Sequence, residues 1–269
     1  MGVVWPYSVT ANVVVVPDAF DRVNAMPVVF KALPAAALDG SGFAEDAAVV
    51  VSFKTYDVVR TRLQDGVTGL LVAARMARDP TTSLLGTHLI ALRAPLVAAA
   101  KGWWLTCPDD STARVSRAVG LVSADRKQGH AAMSAAAELG RMPELLNVAE
   151  AFEEARQALE TEVRRLGVAL ESPPGDGKLI DGLGGEIDNY YGTDGRDSGR
   201  RDARLLWNAS SSLVHGERWF RDLTSGREAE AQRSEFAELI TQRSLDVVCS
   251  GLNILWRRTL FLAAAPYNS

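Results

Sequence analysis

Between Arg204 and Phe220 the chain reads RLLWNASSSLVHGERWF. His215, one of only three histidines, stands there with three consecutive serines, an asparagine, two arginines and two tryptophans. On a helix, residues three, four, seven, eight and eleven apart share a face. The face of His215 then carries Arg204, Asn208, Ser211, Ser212, Arg218 and Trp219, while Leu206, Leu213 and Phe220 form an apolar stripe on the other side. Histidine titrates near neutral pH, so His215 is a candidate general acid or base. Arg218 or Arg204 could hold a phosphate, and Ser211, Ser212 and Asn208 could position it. The same residues also fit a plainer role. Serine and histidine within a helix often satisfy one another or a buried carbonyl on a neighbouring helix.

Other chemistry finds little purchase. The chain has no HExxH, no CxxC and no Glu-x-x-His, so no metal and no cofactor is expected. Gly175-Asp176-Gly177-Lys178 is followed by Leu179 where a phosphate loop has Ser or Thr, and it reads as a helix-breaking loop. Arg196, Arg200, Arg201 and Arg204 lie beside Tyr190 and Tyr191, a composition that can hold single-stranded nucleic acid. Asp194, Asp197 and Asp202 interleave with them, which predicts a self-paired, solvated segment. His88 falls in an apolar run and reads as a core histidine, His130 as a surface one. Trp103 and Trp104 read as core, and Cys107 and Cys249 as buried free thiols.

These residues need a scaffold, and the pattern predicts an all-α one. At 269 residues, 47% hydrophobic and 23% charged, the chain can bury a sizeable core. A net charge of -4 disfavours a general nucleic-acid coat or a polybasic membrane-surface protein. The N-terminal MGVVWPYSV has no basic region ahead of an apolar run, and Leu84 to Leu105 is interrupted by His88, Arg93 and Lys101. The expectation is a cytoplasmic protein with no membrane partner.

Four prolines chop residues 1–43 into an irregular N-terminal arm, with one or two helical turns over 18–25 and a turn at 40–42. Residues 44–269 read as a single up-and-down multi-helix bundle. Apolar residues from 49 to 74 recur at helical spacing, which predicts one helix over 44–78. Asp79-Pro80 opens a central buried helix that Pro108 stops, and Asp110 or Ser111 caps a third helix that ends at Gly140. Pro143 begins a fourth, running to about Leu170. The glycines of 175–199 predict a mobile loop leading into the polar helix. A closing helix spans about 228–264, with Phe236, Leu239, Ile240, Val247, Leu252, Leu255 and Trp256 inward.

Two stretches together carry a family resemblance. One is LRAPLVAAAKGWWL at 92–105, followed by Pro108, Arg114 and Arg117; the other is RLLWNASSSLVHG at 204–216. They resemble a loose group of actinobacterial and phage-associated helical proteins and, through them, the HEPN superfamily, over roughly residues 84–262. The resemblance implies an up-and-down bundle, a homodimer and, in many members, metal-independent RNA cleavage in phage–host conflict. Those nucleases carry Arg, four to six residues, then His on one helix. Here that spacing falls on Ser210, Ala209 and Asn208. Arg204 precedes His215 by eleven residues, roughly 16 Å of helical rise, too far for both to grip one phosphate. Two readings follow: a helical scaffold or sensor of this fold without chemistry, or a metal-independent RNase acting through His215, with RNA as its partner.

Overall fold

The computed structural model describes residues 18–79, 87–140, 142–192, 198–215 and 230–264. Among them every regular element is helical: α1 (Ala19–Lys31), α2 (Gly42–Val49), α3 (Thr55–Arg78), α4 (Thr87–Thr106), α5 (Ser111–Gly140), α6 (Glu144–Arg165), α7 (Asp176–Tyr191), α8 (Ser198–His215) and α9 (Glu230–Ala263). The fold is an all-α multi-helix bundle.

Its axis is α4. This helix is apolar almost all round and buries Leu89, Leu92, Leu96, Ala99, Ala100, Trp104 and Leu105, which is what a central helix needs. α3, α7, α8 and α9 surround it. α9 runs along α3 and α4 and buries Ile240, Leu245, Val248, Leu252 and Leu255 in the shared core. Leu239, expected inward, is 52% exposed instead. The side chain of Phe236 lies outside the described residues, as does the start proposed for α4 at Asp79-Pro80 beyond Asp79 itself.

The N-terminal residues contribute more regular structure than their prolines suggest. α1 is thirteen residues long, includes Pro27 and packs Ala19, Val23, Met26 and Val29 into the core against α3 and α9. Proline inside a helix forfeits a hydrogen bond; the apolar stripe around it offsets that loss. Ser41 caps α2 by accepting a hydrogen bond from the Ala44 N–H at 3.3 Å.

The single helix expected over 44–78 is two. α2 ends at Val49, Val50 turns extended, and α3 starts at Thr55. The reason lies outside the local sequence. Asp46 is fully buried and bound to Arg114 of α5, which fixes α2 at its own angle.

α5 begins where its cap predicts, with the Asp110 carboxylate accepting from the Ala113 N–H at 2.7 Å. α6 stops at Arg165, short of Leu170. Gly167 adopts φ 74°, and the Val168 N–H reaches back to the Val163 carbonyl, a left-handed glycine termination. α5 and α6 form an antiparallel hairpin whose far half leaves the bundle as an arm; among the described helices, α6 packs substantially on α5 alone.

The loop expected over 175–199 is largely helix. α7 buries Leu179, Ile180, Leu183 and Ile187, a 3.6-residue stripe. Its glycines mark close helix contact rather than a break: a Cβ on Gly184 would stand 2.6 Å from the Arg200 Cα of α8. Residues 193–197 lie outside the described residues.

His88 is a core histidine as expected. Its Nε2 meets the Thr241 hydroxyl at 2.9 Å, and burial holds its pKa below the ordinary value, so the imidazole is neutral. Cys249 is buried, its thiol pushed up to about 12 by desolvation. Cys107 is exposed, against expectation, because it falls just after the end of α4, where Arg117 donates to its sulfur at 3.2 Å.

Candidate functional site

The polar helix of the sequence is α8, and the bundle divides its predicted face. α8 packs on α7 and α4 and buries Ala203, Leu206, Ala209, Ser210 and Ser212. Asp188 of α7 caps it, accepting from the Gly199 N–H at 2.6 Å and the Arg200 N–H at 3.1 Å. Leu213 packs partly against the core, as expected for the apolar stripe.

Ser212 is fully buried, so it cannot position a substrate on the wet side. It sits three residues from Ala209 and six from Leu206, which the core also takes. Ser211 is half-buried, while Asn208 and His215 are exposed. Arg204 is exposed too, but Asp181 of α7 engages it through two parallel bonds, Nε to Oδ1 at 2.5 Å and Nη2 to Oδ2 at 2.8 Å. Its guanidinium holds the Asp181 carboxyl below the usual range. Arg218, Trp219 and Phe220 lie outside the described residues. Of the six candidates, Asn208, Ser211 and His215 therefore share a solvent-facing strip. Arg204 is committed to a carboxylate, and Ser212 belongs to the core.

Of the basic cluster, Arg201 pairs with an interleaved aspartate while Arg204 turns to Asp181, and Arg196, Asp194 and Asp197 lie outside the described residues. Arg201 and Arg243 both pair with Asp202, at 3.4 and 3.3 Å. Tyr191 accepts from Asn253 at 2.8 Å, and the Arg257 guanidinium lies over the Tyr190 ring at 5.3 Å. These aromatics are engaged within the fold rather than arrayed as a stacking platform. His130 is half-buried, with Nδ1 3.1 Å from the Ala149 carbonyl. Among the described residues no cluster of three or more His, Cys, Asp or Glu is placed to hold a metal, and no helix is long and apolar enough to cross a membrane.

Three features went unread in the sequence. The first is the buried Asp46–Arg114 pair, whose partners stand 68 positions apart and carry no local signal. The second is a groove of about 420 Å³ lined by Arg62, Asp65, Ile90, Arg93, Ala94, Val97, Ala98 and Lys101. Arg93 and Lys101 did stand out as charges within an apolar run. The third is the outer surface of the α5–α6 arm. Its two helices meet through the buried Ala137 and Ala149, through the Phe152 ring beside Gly129, and through Arg126 and His130 at the Ala155 and Ala149 carbonyls. Ala132, Ala135, Leu139, Val148, Ala151 and Phe152 are exposed. By helical spacing Val148, Ala151 and Phe152 of α6 fall on one side of the plane through the two helix axes, with Ala132 and Leu139 of α5 near its outer edge. Lys127, His130, Glu138, Glu150, Glu153 and Gln157 fall on the other, together with Ala135 and the exposed Leu146.

No family model, no curated protein and no solved structure matches the chain.

Proposed function

We propose that the protein is a helical interaction protein, a scaffold or sensor, that works as a homodimer joined through the α5–α6 arm. One observation carries this reading. α6 is a 22-residue amphipathic helix that buries just Ala149, Leu159 and Val163 within its own chain. Helices in water draw most of their stability from tertiary packing of an apolar face. A hairpin with so sparse a seam gains that packing when a second hairpin completes a four-helix bundle.

The occupant follows from the chemistry of the face. It joins Ala132 and Ala151 with Leu139, Val148 and Phe152, none of them charged. Such a face is complementary to itself, as a two-fold interface requires. Leu139, 89% exposed, and Val148, 43% exposed, would anchor it. Two helices roughly 10 Å wide and roughly 24 Å long give about 500 Å² per partner. Two such faces reach the total of about 1,000 Å² that a specific interface needs. Charge on the reverse side keeps that side in water.

Replacing Leu139 and Val148 together by glutamate places like charges within the joined faces, near the tip of the arm. Both side chains are exposed in the single chain, so the fold stays intact. The dimer dissociation constant is expected to rise at least about 100-fold, read by size-exclusion chromatography with light scattering, while far-ultraviolet circular dichroism is unchanged. An unaltered elution profile from a dimeric variant would place the interface elsewhere.

A second reading has one observation in its favour: His215, Asn208 and Ser211 share an accessible strip of α8. If His215 is the acid or base of a metal-independent RNase, purified protein cleaves tRNA in EDTA, and His215→Ala loses at least about 100-fold in rate at unchanged melting temperature. Intact tRNA after prolonged incubation would remove this reading. The Arg204–Asp181 pair weighs against it, because that arginine is already neutralised.

A further inference from the structure

We propose that the groove along α4 is a binding site for a monoanionic amphiphile, an apolar chain with one acidic head group. This goes beyond the arm-joined homodimer and does not depend on it.

The floor is one face of α4. Ile90, Arg93, Ala94, Val97, Ala98 and Lys101 follow the three- and four-residue spacing of a helix stripe, and Arg62 and Asp65 of α3 form a wall. The middle of the stripe is aliphatic and low, because two of its four apolar residues are alanines. Arg93 and Lys101 flank the middle, and Ile90 carries the apolar stripe one turn beyond Arg93.

Among the described residues the charges around the groove do not balance. Arg62 bonds to Asp125 of α5, so that pair is neutral, and Asp65 supplies one negative charge beside it. Arg93 lies flat over the Trp207 ring of α8, its guanidinium carbon 4.2 Å from the centroid. That stack holds the side chain in place without consuming its charge. Neither Arg93 nor Lys101 has a carboxylate at ion-pair distance among the described residues. Two unpaired cations against one spare aspartate leave the groove with one net positive charge. Cations at the edge of an apolar trough, in a protein whose net charge is -4, match an acidic head group on an apolar body. A longer polyanion would meet Asp65, and an uncharged lipid would leave both cations unanswered.

Isothermal titration calorimetry of the full chain tests this, with decanoate as the probe and decanol and acetate as controls. Decanoate is expected to bind one site per chain with a dissociation constant below about 1 mM. Decanol lacks the charge and acetate lacks the chain, so each is expected to bind at least about tenfold more weakly. The double variant Arg93→Gln with Lys101→Gln loses at least about tenfold in decanoate affinity. Ala94 is exposed, so Ala94→Trp fills the trough without disturbing the core and abolishes binding. Equal affinity for decanol, undiminished binding to both variants, or no decanoate binding to the native chain would each overturn the proposal. None of these outcomes touches the oligomeric state, so failure here is distinguishable from failure of the arm interface.

Discussion

Asp46→Ala is expected to lower stability by about 3–5 kcal/mol, because it leaves a buried cation without its counter-charge. Arg114 and Asp46 are 1% and 0% exposed. The Arg114 Nε donates to both carboxylate oxygens at 3.1 Å, and Nη2 donates to Oδ1 at 2.6 Å. The remaining donors reach backbone carbonyls of Gly42 at 3.0 Å, Pro108 at 3.2 Å and Asp109 at 2.5 Å. One guanidinium thus ties α2 to the turn that opens α5. Removing the carboxylate leaves a cation that cannot shed its proton and has only carbonyl dipoles to face. For a chain of this size the loss corresponds to a fall of about 10 °C in melting temperature.

The reciprocal change differs in a way that pH exposes. Burial already pushes the Asp46 carboxyl up to about 6, against the pull of Arg114. In Arg114→Met that pull is gone, and the carboxyl rises further. A folded-state pKa above the unfolded value means that the folded protein takes up the proton first as pH falls. Arg114→Met therefore regains stability on acidification through the folded pKa towards 3.8, whereas Asp46→Ala does not. Urea unfolding at pH 7.5 and pH 5 reads both. A loss below about 1 kcal/mol for Asp46→Ala would mean that the pair is far more hydrated than its burial states.

Gly120→Ala is the second large effect, and its sign is the informative part. Within a helix this exchange ordinarily gains about 1 kcal/mol through backbone entropy and propensity. At residue 120 of α5 the new methyl would overlap the Glu171 backbone carbonyl, where the chain passes after α6. A carbonyl held by backbone cannot swing aside as a side chain does. The crossing is also bolted on either side, by the Ser116 hydroxyl donating to the Ala169 carbonyl and by the Arg117–Glu171 ion pair at 3.0 Å. Overpacking of this kind costs about 1–3 kcal/mol, and more when it displaces a segment. A net loss of about 2–3 kcal/mol is expected. Gly177 of α7 has open space where its Cβ would stand. Gly177→Ala, the control, should leave stability unchanged or slightly raised. A stabilised Gly120→Ala would show that the segment at 169–172 yields freely.

What could be read from the sequence divides along a physical line. Features set by local chemistry were legible. The apolar run of α4 marked the central helix, Asp110 marked the start of α5, and the interleaved aspartates marked the pairing of Arg201 with Asp202. Features set by distant partners were not. The glycines of α7 look like breakers until α8 is seen pressed against them. The division of α2 from α3 depends on an arginine 68 residues beyond Asp46. For α8, helical spacing assigned Ser212 to the polar face, but packing on α7, α4 and α9 buries both Ser210 and Ser212. The Arg204–Asp181 clasp had no local sign, because Asp181 lies in a segment that reads as a loop.

The interaction reading stands on the claim that the exposed face of the α5–α6 arm meets its own copy. Sedimentation velocity of the full chain, over a concentration range from about 1 to 100 µM, tests that claim most directly. The expected result is a single species at twice the 29.0 kDa chain mass in the upper part of that range, dissociating reversibly on dilution. A monomer at every concentration would contradict it and leave the arm without the partner on which this account depends.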